Sequence, residues 1–448
     1  MSTNGSDFSR RMFLGTAVAA GALATGCGQS KPTASSTKFD VDITNLHEKA
    51  PDGPMLTAGL IGCGGRGRGA AENFLNAGPN LKITAIADVF KDRTDAALKR
   101  IAEKTNQSTP PENVFIGFDA YQKVIDSGVD IVILATPPHF RPEHFAAAVK
   151  ADKHVFMEKP VAVDPVGIKS VIESAGQART KNLSVVTGTQ RHHQKHYVET
   201  LRRIADGAIG DIVSARCYWN MSQLWYVPRG EGWNDMEWMI RDWVNWCWLS
   251  GDHIVEQHVH NIDVIAWFTG GMHPVKAVGM GSRHRRVTGD QYDNFAVDYE
   301  YDNGMHLSSM CRQIDGCANN VSESIVGTKG SINCSSNSAI IFNLDGSIQW
   351  KMSDEEIKAS TSPYLQEHID LVTSIRTVEP LNEAVLTAES NMTAIMGRVS
   401  AYTGKETTWK EMMDSDMRLG PTEYAFGPID MEFPIPVAGS GVREPRSI

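Results

Sequence analysis

The sequence predicts an α/β protein in which an N-terminal doubly wound parallel sheet is followed by an α+β domain with a large open, mostly antiparallel sheet. Three features carry that expectation. Between residues 55 and 188, short apolar runs alternate with helix-like stretches, the pattern that crossover connections impose on a parallel sheet. One run, Val129-Asp130-Ile131-Val132-Ile133-Leu134-Ala135, is nearly continuous in apolar character, as a strand covered on both faces must be. From residue 189 to 448 the texture changes: 212–219, 275–280, 295–301, 305–313 and 322–327 read as strands, with helices at 196–205 and 252–268. Two amphipathic helices, 364–375 and 387–402, are expected to pack back near the domain junction.

The first strand, Leu56–Ile61, runs into Gly62-Cys63-Gly64-Gly65-Arg66-Gly67 and then a helix to about residue 75, the context in which a G-x-G-x-x-G turn binds a dinucleotide. Gly62 permits the tight turn, Gly64 and Gly65 let the backbone approach a pyrophosphate, and Gly67 lets helix and strand pack closely. The N–H groups of the helix start, with Arg66 beside them, face the phosphates. The next strand, Leu81–Asp88, ends in an acid about twenty residues beyond the last glycine, where a carboxylate accepts hydrogen bonds from the adenosine ribose. Asp88 repels a 2′-phosphate, so NAD is expected over NADP, although Lys91 and Arg93 keep NADP open. Then follow a helix at 92–104, a strand and helix at 114–117 and 121–127, the strand 129–135, a helix at 144–151, a strand at 154–160, a helix at 170–181 and a strand at 183–188. Ligands of such sheets sit at the strands' carboxyl ends. That puts Thr136, Pro137, His139, Glu158 and Lys159 at the cofactor.

Bulk properties narrow the class. A chain of 448 residues is long enough for two full cores. Its net charge of -10 argues against a nucleic-acid surface, and no later stretch has the roughly 18 consecutive apolar residues of a membrane span. The start is informative: Ser9-Arg10-Arg11-Met12-Phe13-Leu14 has the form of a twin-arginine export signal, and the apolar run 15–24 is too short and too rich in Ala and Gly to anchor the chain. Residues 1–26 are therefore expected to be removed and the protein to be periplasmic. Without a free NAD pool there, the cofactor is expected to be tightly bound and reset in place. Thr25-Gly26-Cys27 also resembles a lipoprotein cleavage site, which makes Cys27 a candidate lipidated tether, with 27–54 as tether and N-terminal arm. The seven cysteines form no C-x-x-C pair.

Four motifs in order resemble the glucose–fructose oxidoreductase, inositol dehydrogenase and rhizopine-catabolism oxidoreductases, the Gfo/Idh/MocA family. They are the Gly62 to Gly67 turn, Ala135-Thr136-Pro137-Pro138-His139, Glu158-Lys159-Pro160, and Glu256-Gln257-His258-Val259-His260-Asn261-Ile262-Asp263. The resemblance covers residues 56 to about 402 and implies a Rossmann domain followed by a larger open sheet, with a sugar, polyol or related substrate between them. It also implies a homo-oligomer formed through that sheet. Lys159 matches the family's Glu-Lys-Pro lysine, which would hold the substrate hydroxyl and stabilise alkoxide charge. His260 takes the position of the family's catalytic histidine, suited to accept and return a proton.

Glu256, His260 and Asp263 fall at i, i+4 and i+7 of the expected helix, on one face. Here Glu256 stands where the family has Asp, and Gln257-His258 where Gly is often found, so the carboxylate sits one methylene further out. No zinc-type spacing connects His253, Glu256, His258 and His260, and no metal is expected. Arg191 and His192, after the last parallel strand, are candidate substrate contacts together with Asp263. The segment 218–248 is dense in aromatics, among them Trp219, Trp225, Tyr226 and Trp243. Such rings beside polar groups suit stacking on a sugar face, with Trp225 and Tyr226 as candidates, or form an oligomer interface.

The activity expected is hydride transfer between a secondary hydroxyl of a sugar, polyol or glycoside and the nicotinamide. The alternative is a glycosidase that oxidises C3 transiently, eliminates the glycosidic oxygen and adds water, with Glu256 or Tyr226 as the extra base.

Overall fold

The run 129–135 lies at the centre of the first sheet, and its alternate side chains feed two different cores. The computed structural model describes residues 41 and 45–441. The expected export segment 1–26, Cys27 and residues 28–40 of the tether lie outside the described residues. Strands β1 (Leu56–Ile61), β2 (Leu81–Asp88), β3 (Val114–Ile116), β4 (Ile131–Leu134), β5 (His154–Met157) and β6 (Val185–Thr187) form one sheet in the order β3-β2-β1-β4-β5-β6. Every pair in it is parallel. Chain order reverses between β1 and β4, which opens a crevice at their carboxyl ends.

Ile131 and Ile133 join Leu60, Ile83 and Phe156 on one face, while Val132 and Leu134 join Val155 and Met157 on the other. Helices Gly65–Asn76 and Lys91–Thr105 cover the first face, and Ile369, Leu371 and Val372 of helix Pro363–Arg376 complete it. Helices Ala120–Asp126, Arg141–Lys150 and Pro165–Thr180 cover the second. A C-terminal helix thus closes the N-terminal domain.

The second sheet contains β7 (Ile212–Met221), β8 (Lys276–Ser282), β9 (Asn294–Glu300), β10 (His306–Gln313), β11 (Asn320–Gly327), β12 (Gly330–Ser335), β13 (Ser338–Asn343), β14 (Ile348–Lys351) and β15 (Thr407–Thr408). Its order is β14-β13-β12-β11-β7-β10-β9-β8-β15, antiparallel throughout except for the parallel pair β7 and β10. Helices Val259–Phe268 and Ala384–Thr403 pack on one face, and the latter also touches Pro165–Thr180, so the two domains share a continuous core. Strands β12 to β14 were not expected. Ser, Asn and Gly in β12 and β13, and Gln and Lys in β14, interrupt their apolar residues, and the sheet edge tolerates that because it is covered on one side only. Among the described residues no helix is long and apolar enough to cross a membrane.

The expected helix 252–268 is two helices, His253–Glu256 and Val259–Phe268. The Gln257 and His258 amides both turn back to the His253 carbonyl, at 2.9 and 3.0 Å. The Glu256 carbonyl, which in a continuous helix would accept from the His260 amide, accepts from Lys159 Nζ instead. The break therefore lies between the residues that the motif brings together.

Candidate active site

The glycine turn has the geometry a dinucleotide needs. Gly62 sits at φ 95°, and a Cβ there would lie 2.6 Å from the Ala135 carbonyl carbon on the neighbouring strand end. A Cβ on Gly67 would collide with the Gly62 carbonyl oxygen, whereas at Gly64 and Gly65 it would meet nothing within 4 Å. The helix that follows has no side-chain cap and no acid in its first turn, which leaves its amides open to an anion. Asp88 accepts from the Cys63 amide at 2.7 Å and the Phe90 amide at 3.0 Å. Burial raises its pKa while those two amides pull it back.

These groups border a cavity of about 450 Å³ lined by the glycine turn, Arg66, Asp88, Phe90, Thr136 and Pro137. An open cradle of uncapped amides with a carboxylate at its far strand fits the pyrophosphate and adenosine of NAD. Arg93 also lines the cavity, while Lys91 is paired with Asp95 at 2.7 Å.

His139 does not join that lining. A turn of 3-10 helix at Pro138–Phe140 swings its ring toward the C-terminal tail, where Nε2 lies 2.7 Å from the Tyr424 hydroxyl and the ring stands edge-on to Trp248. Burial pushes its pKa down to about 3, so it stays neutral. Glu158 is buried beneath Arg66, whose guanidinium also reaches Glu367 at 3.1 Å and lies over the Tyr364 ring. This ties the glycine turn to the Glu-Lys-Pro turn and to helix Pro363–Arg376.

Lys159 follows β5, and its ammonium lies 3.1 Å from Glu256 Oε1 as well as against the Glu256 carbonyl. Gln257 Nε2 donates to the other carboxylate oxygen at 2.6 Å. The turn beneath Lys159 is braced by Arg141, which donates to the Pro160 carbonyl at 2.6 Å, and by the Asn391 side chain on the Val161 amide at 2.8 Å. Burial pulls Arg141 down to about 10, opposed by Glu158 and Glu256. Sequence reasoning missed both braces, because neither Arg141 nor Asn391 is close to Lys159 in the chain.

His260 lies on the far side of the helix break, its ring stacked on Trp219 with centroids 5.4 Å apart. Burial pushes its pKa well below the usual histidine range, and the charges of Lys159 and Arg191 push the same way. The ring is therefore neutral near pH 7, the form in which a base acts.

The other candidates lie elsewhere. Arg191, His192 and Asp263 are buried, with polar atoms engaged inside the protein: Arg191 with Tyr197 at 2.8 Å and Glu323 at 3.4 Å, His192 with Asp263 at 2.7 Å. They form a layer beneath Trp219 and His260, as Arg191 lies 5.9 Å from the Trp219 ring. The expectation that they project to a substrate is corrected accordingly: Arg191 is turned to Tyr197 and Glu323, and His192 and Asp263 to each other. Trp225 lines the dinucleotide cavity, and exposed Tyr226 does not border it. Trp219 is the aromatic beside His260. The remaining histidines diverge, His253 toward Asp252 and His258 toward Ser309.

Comparison with known proteins agrees with this layout. Residues 56–187 match the family model described as oxidoreductase family, NAD-binding Rossmann fold, and residues 197–333 match the GFO/IDH/MocA C-terminal domain. A glycosyl hydrolase family 109 protein of Streptomyces coelicolor is 28% identical over 46% of this chain and 43% of its own. An inositol 2-dehydrogenase of Salmonella typhimurium is 30% identical over 47% of this chain and 54% of its own. The chain thus spans about half the length of these curated relatives. The crystal structure of scyllo-inositol dehydrogenase from Lactobacillus casei with bound NAD(H) and scyllo-inositol superposes with a TM-score of 0.59 at 20% identity, over 79% of this chain and 99% of that one. With both family models matched in order across the two sheets, this chain belongs to the Gfo/Idh/MocA oxidoreductase family, and its first domain is the family's NAD-binding Rossmann fold.

Proposed function

We propose that the protein moves hydride between a secondary carbinol carbon of a sugar, polyol or glycoside and a tightly held NAD. The observation that carries this reading is the pairing of Lys159 with Glu256 just after β5, with His260 near enough to feel the Lys159 charge and with the adjacent Glu158 held by Arg66 of the dinucleotide cavity. Bound NAD supplies the hydride acceptor. Lys159 donates to the substrate hydroxyl oxygen and stabilises negative charge there as the proton leaves. His260 takes that proton on its neutral ring, and returns it in the reverse direction. Glu256 keeps the ammonium aimed, and Trp219 offers an apolar face to the sugar ring. The inositol dehydrogenases among the relatives support a cyclic polyol or sugar as substrate class.

A second reading, glycoside cleavage through transient oxidation, is favoured by the likeness to the Streptomyces coelicolor glycosyl hydrolase family 109 protein. One experiment separates the two. The purified protein is denatured and its released nucleotide identified; native protein is then incubated with inositols, free sugars and aryl glycosides. Keto product without bond cleavage supports the dehydrogenase, aglycone release with NAD unchanged supports the glycosidase, and absence of nucleotide binding sinks both.

Two further features belong to the same proposal. The outward face of the second sheet exposes Val213, Val278, Met280, Met310 and Val326, an apolar strip suited to a second copy of the chain. Light scattering on Met280→Lys tests it, and an unchanged mass would sink it. Export by the twin-arginine route, with lipidation at Cys27, rests on the residues around Arg10, Arg11 and Cys27. Cell fractionation of an Arg10→Lys, Arg11→Lys variant tests it, since retention in the cytoplasm is the expected result.

A further inference from the structure

Part of the wall of the dinucleotide cavity comes from outside the Rossmann domain. Trp225, Val227, Ile240, Arg241 and Trp243 line the same space as Asp88 and the glycine turn. They belong to the segment 222–246, which leaves the second sheet after β7 and includes helix Asp235–Arg241. The segment is braced internally: the Val227 amide donates to Asp242 at 2.7 Å, Trp238 Nε1 to the Val227 carbonyl at 2.9 Å, and Asn245 Nδ2 to the Trp225 carbonyl at 3.3 Å. Trp225 and Trp243 stand edge to face, with centroids 6.1 Å apart.

One residue fastens this segment to the Rossmann domain beside Asp88. The Arg241 guanidinium meets both Asp92 carboxylate oxygens at 3.2 Å, is held by Glu237 at 3.0 Å, and lies 3.8 Å from the centroid of the Phe90 ring. A planar guanidinium suits this double engagement, because its fork takes the carboxylate while its face takes the ring. The C-terminal tail adds a second cover: Phe426 packs on Phe90 and Phe118 at 5.7 and 5.2 Å, and the Gly427 carbonyl accepts from the Met236 amide at 3.2 Å. An open Rossmann crevice exposes the adenosine end of its ligand to solvent. Here that end is walled by residues of the other domain.

We propose that segment 222–246, latched by Arg241 onto Asp92 and Phe90, closes the adenosine end of the NAD site, with Trp225 and Trp243 as the walls that meet the adenine, and so retains the dinucleotide between turnovers. This rests on the reading of the cavity as an NAD site and supplies a physical basis for tight retention. Dissociation then requires the latch to open, so its loss accelerates release without altering the Lys159 site.

The test loads the full chain with NADH, adds excess NAD as a trap, and follows release by fluorescence. Release from Arg241→Ala and from Trp225→Ala is expected to be at least about tenfold faster than from wild type. Asp92→Asn, a change at an exposed side chain, keeps the latch testable if Arg241→Ala folds poorly, and is expected to act in the same direction. Combining Asp92→Asn with Arg241→Ala should add little to the single change, because both break one contact. Wild-type release rates in all variants would overturn the latch while leaving NAD binding intact. Failure of the wild-type protein to bind NADH at all would overturn the NAD reading itself.

Discussion

The Lys159 ammonium takes the Glu256 backbone carbonyl and lies 3.1 Å from the carboxylate of the same residue, so one lysine both interrupts the helix and holds its acidic side chain. Both side chains are about nine-tenths buried, and a hydroxyl arriving at Lys159 meets a charge that water screens weakly. Lys159→Met is therefore expected to lower turnover by about 10²–10³-fold, in the range for loss of one preorganised donor to developing oxyanion charge. Nucleotide content, measured after denaturation, should stay at the wild-type level because the cradle is formed by other residues. Full activity in the variant would remove Lys159 from the mechanism.

The environment of His260 gives a pH signature. Burial and the charges of Lys159 and Arg191 hold its pKa well below the ordinary value near 6.5. A base works in its deprotonated form, which dominates above its pKa. The acidic limb of kcat/KM assigned to His260 should thus lie below pH 6.5, with the rate flat from there to neutrality. A limb at or above pH 6.5 that disappears in His260→Ala would contradict the geometry.

The parallel sheet was legible because its signals are local: an apolar run such as 131–134, a glycine turn after β1 and an acid at the end of β2 each declare themselves within a few residues. Lys159 and His260 stand out through their motifs and residue types, and the structure sets the one against Glu256 and the other on Trp219. What could not be read depended on distant partners. Arg191 looked free to bind a substrate until Glu323, on β11, reached it at 3.4 Å. His139 looked poised over the crevice until Tyr424, in a tail without regular structure, took its ring. Trp225 and Trp219 sit in one aromatic segment, yet the end of β7 sends them to different ends of the site. Periodicity records which face of an element is buried, and says nothing of which remote residue covers it.

The glycine turn separates two kinds of loss. At Gly64 the backbone is extended and a Cβ meets nothing, so Gly64→Ala should leave the unfolding midpoint close to wild type. The added methyl occupies the approach of the pyrophosphate, and NAD affinity is expected to fall at least about tenfold, the factor carried by about 1.4 kcal/mol. Gly67→Ala meets the Gly62 carbonyl directly and should lower the midpoint as well. Calorimetry with and without NAD distinguishes the pair; equal unfolding midpoints for both variants would show that Gly67 has no packing role.

His193, just after the last parallel strand, joins helix Pro363–Arg376 to the start of helix Ala384–Thr403, with Asp370 at 2.6 Å and Glu383 at 3.1 Å. Burial opposes its charge, yet these two carboxylates outweigh it and hold its pKa well above the usual value, while Glu383 is held below its own by His193. His193→Gln strands two buried carboxylates and is expected to cost about 3–5 kcal/mol at pH 7. The sign of the pH dependence follows from the shifts. A raised histidine pKa contributes stability that is complete below about pH 6.5, the unfolded value, and is lost as pH rises through the folded value. The depressed Glu383 contributes above its unfolded value near 4.3 and loses that contribution as pH falls through its folded one. Urea unfolding of wild type and variant should therefore differ most between about pH 4.5 and 6.5, with the gap narrowing at alkaline pH. A gap that widens as the solution is made alkaline would show that His193 is neutral in the folded protein.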